Sequence, residues 1–258
     1  MLETAIRAAR EAGRLLLAGS RREIQVDRIG RRDVKLAMDR KAEEAILRIL
    51  RKKFPGHAVL SEECGRVGPK SEYRWVIDPL DGTVNYSRRI PLWGTSIGLM
   101  RGGEEILGVI FDPVRDELFC AEKGSGAFLN GKRIRVNERD DLKSAIIAYG
   151  FSAREDYLKR GLAIADRLAR KASKVRAVGS AALHLAWVAC GRMDGFFEVG
   201  LHPWDVAAGV AIIREAGGEV SSRPLPGGIL NFVCSNGRIH SALLKQVGWQ
   251  DVNAGTDP

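Results

Sequence analysis

The chain has 258 residues, 45% hydrophobic and 28% charged, the balance of a globular protein with a sizeable core. Forty-one Lys and Arg against 32 Asp and Glu leave a net charge of +9, which attracts anions of any size but names none of them. Disordered and collagen-like chains are excluded, and no apolar run reaches the ~18 residues of a membrane-spanning helix, so no membrane partner is expected.

The predicted elements begin with a helix. Leu2, Ala5, Ile6, Ala9, Ala12 and Leu16 recur at helical spacing with charges between them, unlike the unbroken apolar run of a secretory segment. A second stripe starts near Asp39 (Ala42, Ala45, Ile46, Ile49, Leu50) and stops at Pro55-Gly56. Strand-like runs follow at 58–61 and 74–78, then a β-rich block at 95–100, 106–112, 117–122 and 132–136. Asn130-Gly131 between apolar flanks is a hairpin turn signal. From Ser144 strands and helices alternate: strands at 144–149, 174–178, 195–199 and 232–235, helices at 157–172, 181–190 and 206–213, and a closing segment at 239–247. The stretch 206–213 is apolar on every face and is expected to be buried. The change of rhythm predicts a layered α/β protein of two halves, 1–140 and 141–249, with a loose tail at 250–258. Cys64, Cys120, Cys190 and Cys234 lie far apart without metal-binding spacing, which points to reduced thiols in the cytoplasm.

Three familiar chemistries fail. Gly126 to Arg133 nearly spells a phosphate-binding loop but lacks its Ser or Thr and falls on a hairpin. No G-x-S-x-G elbow is present, and no G-x-G-x-x-G opens a helix.

Acidic clusters remain at strand ends and at a helix start: Ser61-Glu62-Glu63, Asp78-Pro79-Leu80-Asp81-Gly82-Thr83, and Pro203-Trp204-Asp205. Strand ends are where α/β sheets place ligands. Carboxylates converging there repel unless a cation neutralises them, and oxygen donors without Cys or His suit magnesium, manganese or calcium. Pro79 stiffens the turn so that Asp78 and Asp81 approach an ion pair from adjacent sides with the Leu80 carbonyl between them. Gly82 permits close backbone approach, and the Gly82 and Thr83 amides open a helix toward an anion. Metal ions plus amide donors describe phosphoryl transfer to water. Taken singly, Asp78 and Asp81 would also serve as turn caps, Asp205 as a helix N-cap, and Glu62 and Glu63 as solvated loop charges.

The motifs Asp78-Pro-Leu-Asp-Gly-Thr-Val-Asn85-Tyr86 and Trp204-Asp205-Val-Ala-Ala-Gly209 resemble the two signatures of the inositol monophosphatase family. Ser61-Glu62-Glu63 is similar to its acidic third motif, and Asp39 with Glu43 to its D-x-x-x-E element. The resemblance implies a five-layer αβαβα sandwich, usually a homodimer, and the hydrolysis of a small phosphorylated polyol or sugar. It implies that Glu62, Asp78, the Leu80 carbonyl, Asp81 and Asp205 hold about two to three Mg2+ ions, with Mn2+ a possible substitute. Glu62, Asp39 and Thr83 would form the catalytic set, Thr83 with Asp39 positioning the attacking water. Gly82 and Thr83 would receive the phosphate, and Gly179, Ser180, Ala181 and Glu198 the alcohol portion. Inositol 1-phosphate is the expected substrate, with fructose 1,6-bisphosphate and histidinol phosphate as alternatives. Val34 to Met38 departs from the usual lead-in to Asp39, and Ser61 stands where many members have Gly. Arg28, Arg31 and Arg32 would screen or recruit phosphate, or simply be solvated. His184 and the pair Trp93 and Trp187 are expected in the core, and His202 as a structural loop residue. A different class, a basic nucleic-acid-binding or regulatory protein on a phosphatase fold, has no recognisable nucleic-acid motif behind it.

Overall fold

Helix α1 (Leu2–Ser20) and helix α2 (Ala37–Lys53) pack their apolar stripes together and onto one face of a sheet. Ala8, Ala12, Leu16, Ile46 and Leu50 are fully buried there against Trp75, Ile77, Leu99 and Val109. The computed structural model describes residues 1–22, 26–29 and 34–249, without the side chains of 26–29, 34 and 35. The side chains of Arg28, Arg31 and Arg32 and the tail 250–258 therefore lie outside the described residues. Strands β1 (Val26–Ile29) and β2 (Val34–Leu36) pair antiparallel ahead of α2.

The sheet beneath those helices has eight strands: β3 (Ala58–Ser61), β4 (Gly65–Val67), β5 (Tyr73–Asp81), β6 (Gly94–Arg101), β7 (Glu104–Asp112), β8 (Glu117–Glu122), β9 (Gly126–Leu129) and β10 (Lys132–Ile134). They lie in the order β10-β9-β8-β7-β6-β5-β3-β4, antiparallel except for β3 beside β5. Asn130 and Gly131, with φ of 48° and 78°, make the predicted turn between β9 and β10. The short helix α3 (Thr83–Ser87) follows β5 directly.

The second sheet has five strands: β11 (Ile146–Tyr149), β12 (Lys174–Arg176), β13 (Gly195–Leu201), β14 (Glu219–Leu225) and β15 (Ile229–Ser235), in the order β12-β11-β13-β15-β14. Helices α4 (Glu155–Ala169) and α7 (His240–Val247) cover its outer face. Helices α5 (Ala181–Ala189) and α6 (Pro203–Glu215) fill the space between the two sheets, apolar all round because both sides are buried. The layers are thus α, β, α, β, α, the expected five-layer sandwich.

Helix α6 reaches the first sheet at two missing side chains. A Cβ on Gly108 would lie 2.1 Å from the Ala208 carbonyl oxygen, and one on Gly98 would lie 2.9 Å from the Ala207 Cβ. Only glycine lets this helix settle so deeply.

Several expectations need correction. The strand read at 74–78 continues to Asp81, so the acidic motif is the end of β5 rather than a loop after it. The strand read at 174–178 stops at Arg176, and the helix read at 157–172 runs from Glu155 to Ala169. Strand β14 was not legible: its Ser-Ser-Arg-Pro stretch lacks alternation because it lies at a sheet edge. Trp93 is buried, whereas Trp187 is only partly buried, under the Arg115 guanidinium 5.6 Å from its ring centre.

Candidate active site

The site begins with a fault in β5. Asp78 sits opposite Ser96, but Asp81 sits opposite Gly94, so three steps on β5 match two on β6. Residues three apart on a strand point to opposite faces, and the extra residue brings Asp78 and Asp81 back to one side. Proline, which cannot donate to a ladder, is suited to such a bulge. The Thr95 hydroxyl donates to the Pro79 carbonyl at 3.0 Å and fixes it.

Gly82 then turns the chain with φ of 88°, and a Cβ there would lie 2.8 Å from the Leu92 carbonyl oxygen. The position demands glycine on both counts. Thr83 opens α3, and its hydroxyl donates to the buried Leu80 carbonyl at 2.9 Å.

Each carboxylate is oriented by a donor from the chain. Asp78, 2% exposed, accepts from the Leu80 amide at 3.1 Å. Asp81 accepts from the Ser180 hydroxyl and from the Ala181 and Ala182 amides at 3.2 and 2.9 Å, the first turn of α5. Asp205 accepts from the His202 amide at 2.7 Å, and Asp39 from the Leu36 amide at 2.7 Å. Both are third residues of their helices whose carboxylates reach back to the N-cap amide, so Asp205 is not the N-cap. Glu43, buried one turn after Asp39, accepts from the Cys64 amide at 3.1 Å and ties the Glu62-Glu63 loop to α2. Glu62 and Glu63 are half-buried rather than solvated, and the Glu62 amide donates to the Ile77 carbonyl at 3.2 Å.

Electrostatics show the convergence. Burial pushes the Asp78 pKa well above the usual carboxylate range, and the charges of Glu62, Asp81, Asp205 and Asp39 push it further. Asp81 is pushed up to about 6 by burial, against the downward pull of Ser180 and the α5 amides. Glu198 is raised by burial and by Asp205 and Asp81. Of these acids Asp81, Glu198 and Asp205 line a cleft of about 270 Å³, with Gly82, Thr83, Gly179, Ser180 and Ala181, whereas Asp39, Glu62 and Asp78 do not form its walls. A larger cavity of about 400 Å³ near Leu15 and Met38 has no acidic wall.

Among the described residues, no three acidic, His or Cys side chains already stand in a closed coordination cage. Asp39, Glu43, Asp78, Asp81 and Asp205 are instead turned to the protein donors named above. The donor set nevertheless fits a hard divalent cation: it is all oxygen, and Asp78 is buried among four like charges, a costly arrangement that positive charge relieves.

Two residues of the cleft wall, Ser180 and Ala181, also orient Asp81. The Ser180 hydroxyl donates to Asp81 while accepting from the Leu183 amide at 3.2 Å, so it is engaged within the protein. Ala181 likewise directs its amide at Asp81. Arg192 donates to both oxygens of Glu117 at 2.6 Å and so is not paired with Glu198.

Other residues of the site were missed. Asn85 donates from its amide to the Leu92 and Val178 carbonyls, each at 2.7 Å, joining the motif helix to the Gly179 turn. Gly150 lies beneath Glu198, whose carboxylate would be 1.8 Å from a Cβ there. A lone glycine directly after a strand was its only signal. His184 lines the cleft while buried. Its Nε2 accepts from the Val178 amide at 3.1 Å, and burial drives its pKa down to about 3.

Buried carboxylates gathered beside a cleft between two sheets of a layered α+β protein mark a phosphatase of the metal-dependent kind. A sequence profile of the inositol monophosphatase family matches residues 1–248, and the chain belongs to that family. It is 41% identical over 256 residues to the Nus factor SuhB of Escherichia coli K12, covering 96% of this chain and 95% of that one. It is 44% identical over 258 residues to the inositol-1-monophosphatase of Mesorhizobium japonicum, covering 96% of each. The crystal structure of the extragenic suppressor protein suhB from Bartonella henselae superposes with a TM-score of 0.88 at 37% identity, over 98% of both chains.

Proposed function

We propose that the chain is a magnesium-dependent phosphomonoesterase acting on inositol 1-phosphate. The observation that carries this reading is Asp78, buried among Glu62, Asp81, Asp205 and Asp39 beside an open cleft. Glu62, Asp78, the Leu80 carbonyl, Asp81 and Asp205 would hold the cations. When bound, such ions lower the pKa of a water and neutralise charge on phosphate oxygens and the leaving alkoxide. Thr83, locked to the Leu80 carbonyl, and Asp39 orient the attacking water. The Gly82 and Thr83 amides receive the phosphate at the cleft wall. Glu198 accepts hydrogen bonds from the hydroxyls of the alcohol, held over Gly150 at a fixed height. The name of the Mesorhizobium relative supports inositol as that alcohol. A homodimer accompanies this reading and is tested by sedimentation.

The deciding experiment measures phosphate release, with magnesium and with chelator, from inositol 1-phosphate, fructose 1,6-bisphosphate, histidinol phosphate and adenosine 3′,5′-bisphosphate. The highest kcat/KM is expected for inositol 1-phosphate, abolished by chelation. The name of the Escherichia coli relative favours a second reading, a regulatory role. Salt-dependent binding to DNA without magnesium-dependent phosphate release would replace the first reading by that one.

A further inference from the structure

Strand β13 has two working faces. Glu198 points into the cleft, and its neighbour Val199 points the other way, into the layer of α4 and α7. There Val199 forms one wall of a second cavity of about 160 Å³, together with Ile164, Trp249, Arg160, Arg167 and Asn231. Asn231 is only 5% exposed, and its Oδ1 has no hydrogen-bond partner. Native interiors rarely leave such an atom unpaired, and rotating the amide end for end would merely exchange which atom is orphaned.

The surroundings are cationic. Arg223 pairs with Asn231 across β14 and β15, and its guanidinium carbon lies 4.9 Å from the centre of the Trp249 ring. Arg167 donates from Nε to the Gln246 carbonyl at 2.9 Å, which fixes its stem and leaves its terminal nitrogens. Among the described residues, Arg160, Arg167 and Arg223 have no ion pair, and no Asp or Glu lines the cavity. Polar donors above an apolar floor are the signature of a pocket for a small amphiphilic anion.

We propose that this pocket binds a small organic carboxylate with an apolar body. The carboxylate accepts from the guanidinium groups of Arg160 and Arg167 and, with the Asn231 side chain rotated end for end, from its amide nitrogen. The body lies against Ile164, Val199 and Trp249. A single flat charge matches the guanidinium fork, and the volume is below the ~300 Å³ at which drug-sized pockets begin. Because Val199 adjoins Glu198, an occupant touches the strand that carries a wall of the catalytic cleft.

Calorimetric titration of the full chain with benzoate, in chelator so that no metal binds the carboxylate, tests the proposal. One saturable site is expected, with benzyl alcohol silent and inorganic phosphate much weaker. Arg160→Ala, at an exposed position that leaves the fold intact, should weaken benzoate about tenfold or more, and Asn231→Leu should weaken it several-fold. Asp205→Asn, in the cleft, should leave it unchanged. Absence of saturable binding, unchanged affinity in Arg160→Ala, or loss of binding in Asp205→Asn would overturn the assignment.

Discussion

Asp112 and Asp78 are both buried carboxylates at the ends of strands in one sheet, and they are satisfied in opposite ways. Asp112 accepts from the Val114 and Arg115 amides at 3.0 and 3.1 Å and from the Arg115 guanidinium at 2.7 Å. Its countercharge comes from its own turn. Asp78 has one amide and four acidic neighbours. The difference is the source of positive charge, local in one place and imported in the other. A buried acid with its own arginine is architecture, and one surrounded by acids is a receptor.

Charge removal separates the two most sharply. Asp78→Asn or Asp81→Asn should lower turnover by on the order of 10²-fold or more, because the ions lose a ligand charge. Asp112→Asn should leave turnover within a few-fold and lower stability by about 1–3 kcal/mol, read by denaturant unfolding. Comparable losses of turnover in both would erase the distinction.

Cation addition follows in size. Magnesium at about 100 times its Kd should stabilise the folded chain by about 2.7 kcal/mol, seen as a rise in Tm that chelator reverses. Asp112→Asn should keep that rise, and Asp78→Asn should lose most of it.

A third comparison sets these acids against His184, buried with its pKa down at about 3. Since the folded form holds it neutral, its contribution to stability is complete above its unfolded pKa near 6.5 and is lost as pH falls from there toward 3. The loss amounts to about 1.4 kcal/mol per pH unit within that window. His184→Gln should flatten the acid side of a Tm against pH curve. An unchanged slope would place acid sensitivity elsewhere.

The smallest effect concerns selectivity. Glu198→Gln should raise KM for inositol 1-phosphate by a few-fold, equivalent to about 0.5–1.5 kcal/mol, with less change for an aryl phosphate. Equal losses on both substrates would assign Glu198 to the chemical step instead.

The acids themselves were legible because their chemistry is local: Asp78, Asp81 and Asp205 stand in short motifs at element ends. A layered protein of two halves was legible from the switch between strand-rich and alternating segments, whereas the five-layer order followed only from the family resemblance. What joins distant segments was not. The bond from Ser180 to Asp81 spans 99 residues, and Asn85 reaches Val178 across 93. No periodicity records such a pair. The bulge was hidden for another reason: Pro79 advertises a turn, yet the strand continues through it. The cationic pocket behind β13 left no trace either, since Arg160 and Arg167 on α4 meet Asn231 on β15 only once the chain is folded.

The bare surface formed by Gly98 and Gly108 has a consequence at the far end of the helix that rests on it. Asp205 occupies the first turn of α6, whereas Ala207 and Ala208 meet the two glycines within the next turn. The depth of that contact sets the height at which the acid enters the cleft, as a depth stop governs the tip of a drill. A single methyl on Gly108 would clash with the Ala208 backbone and force the helix and strand apart. The chemistry of this chain is therefore gauged by two absent side chains, and it can be silenced by a substitution that never meets the substrate.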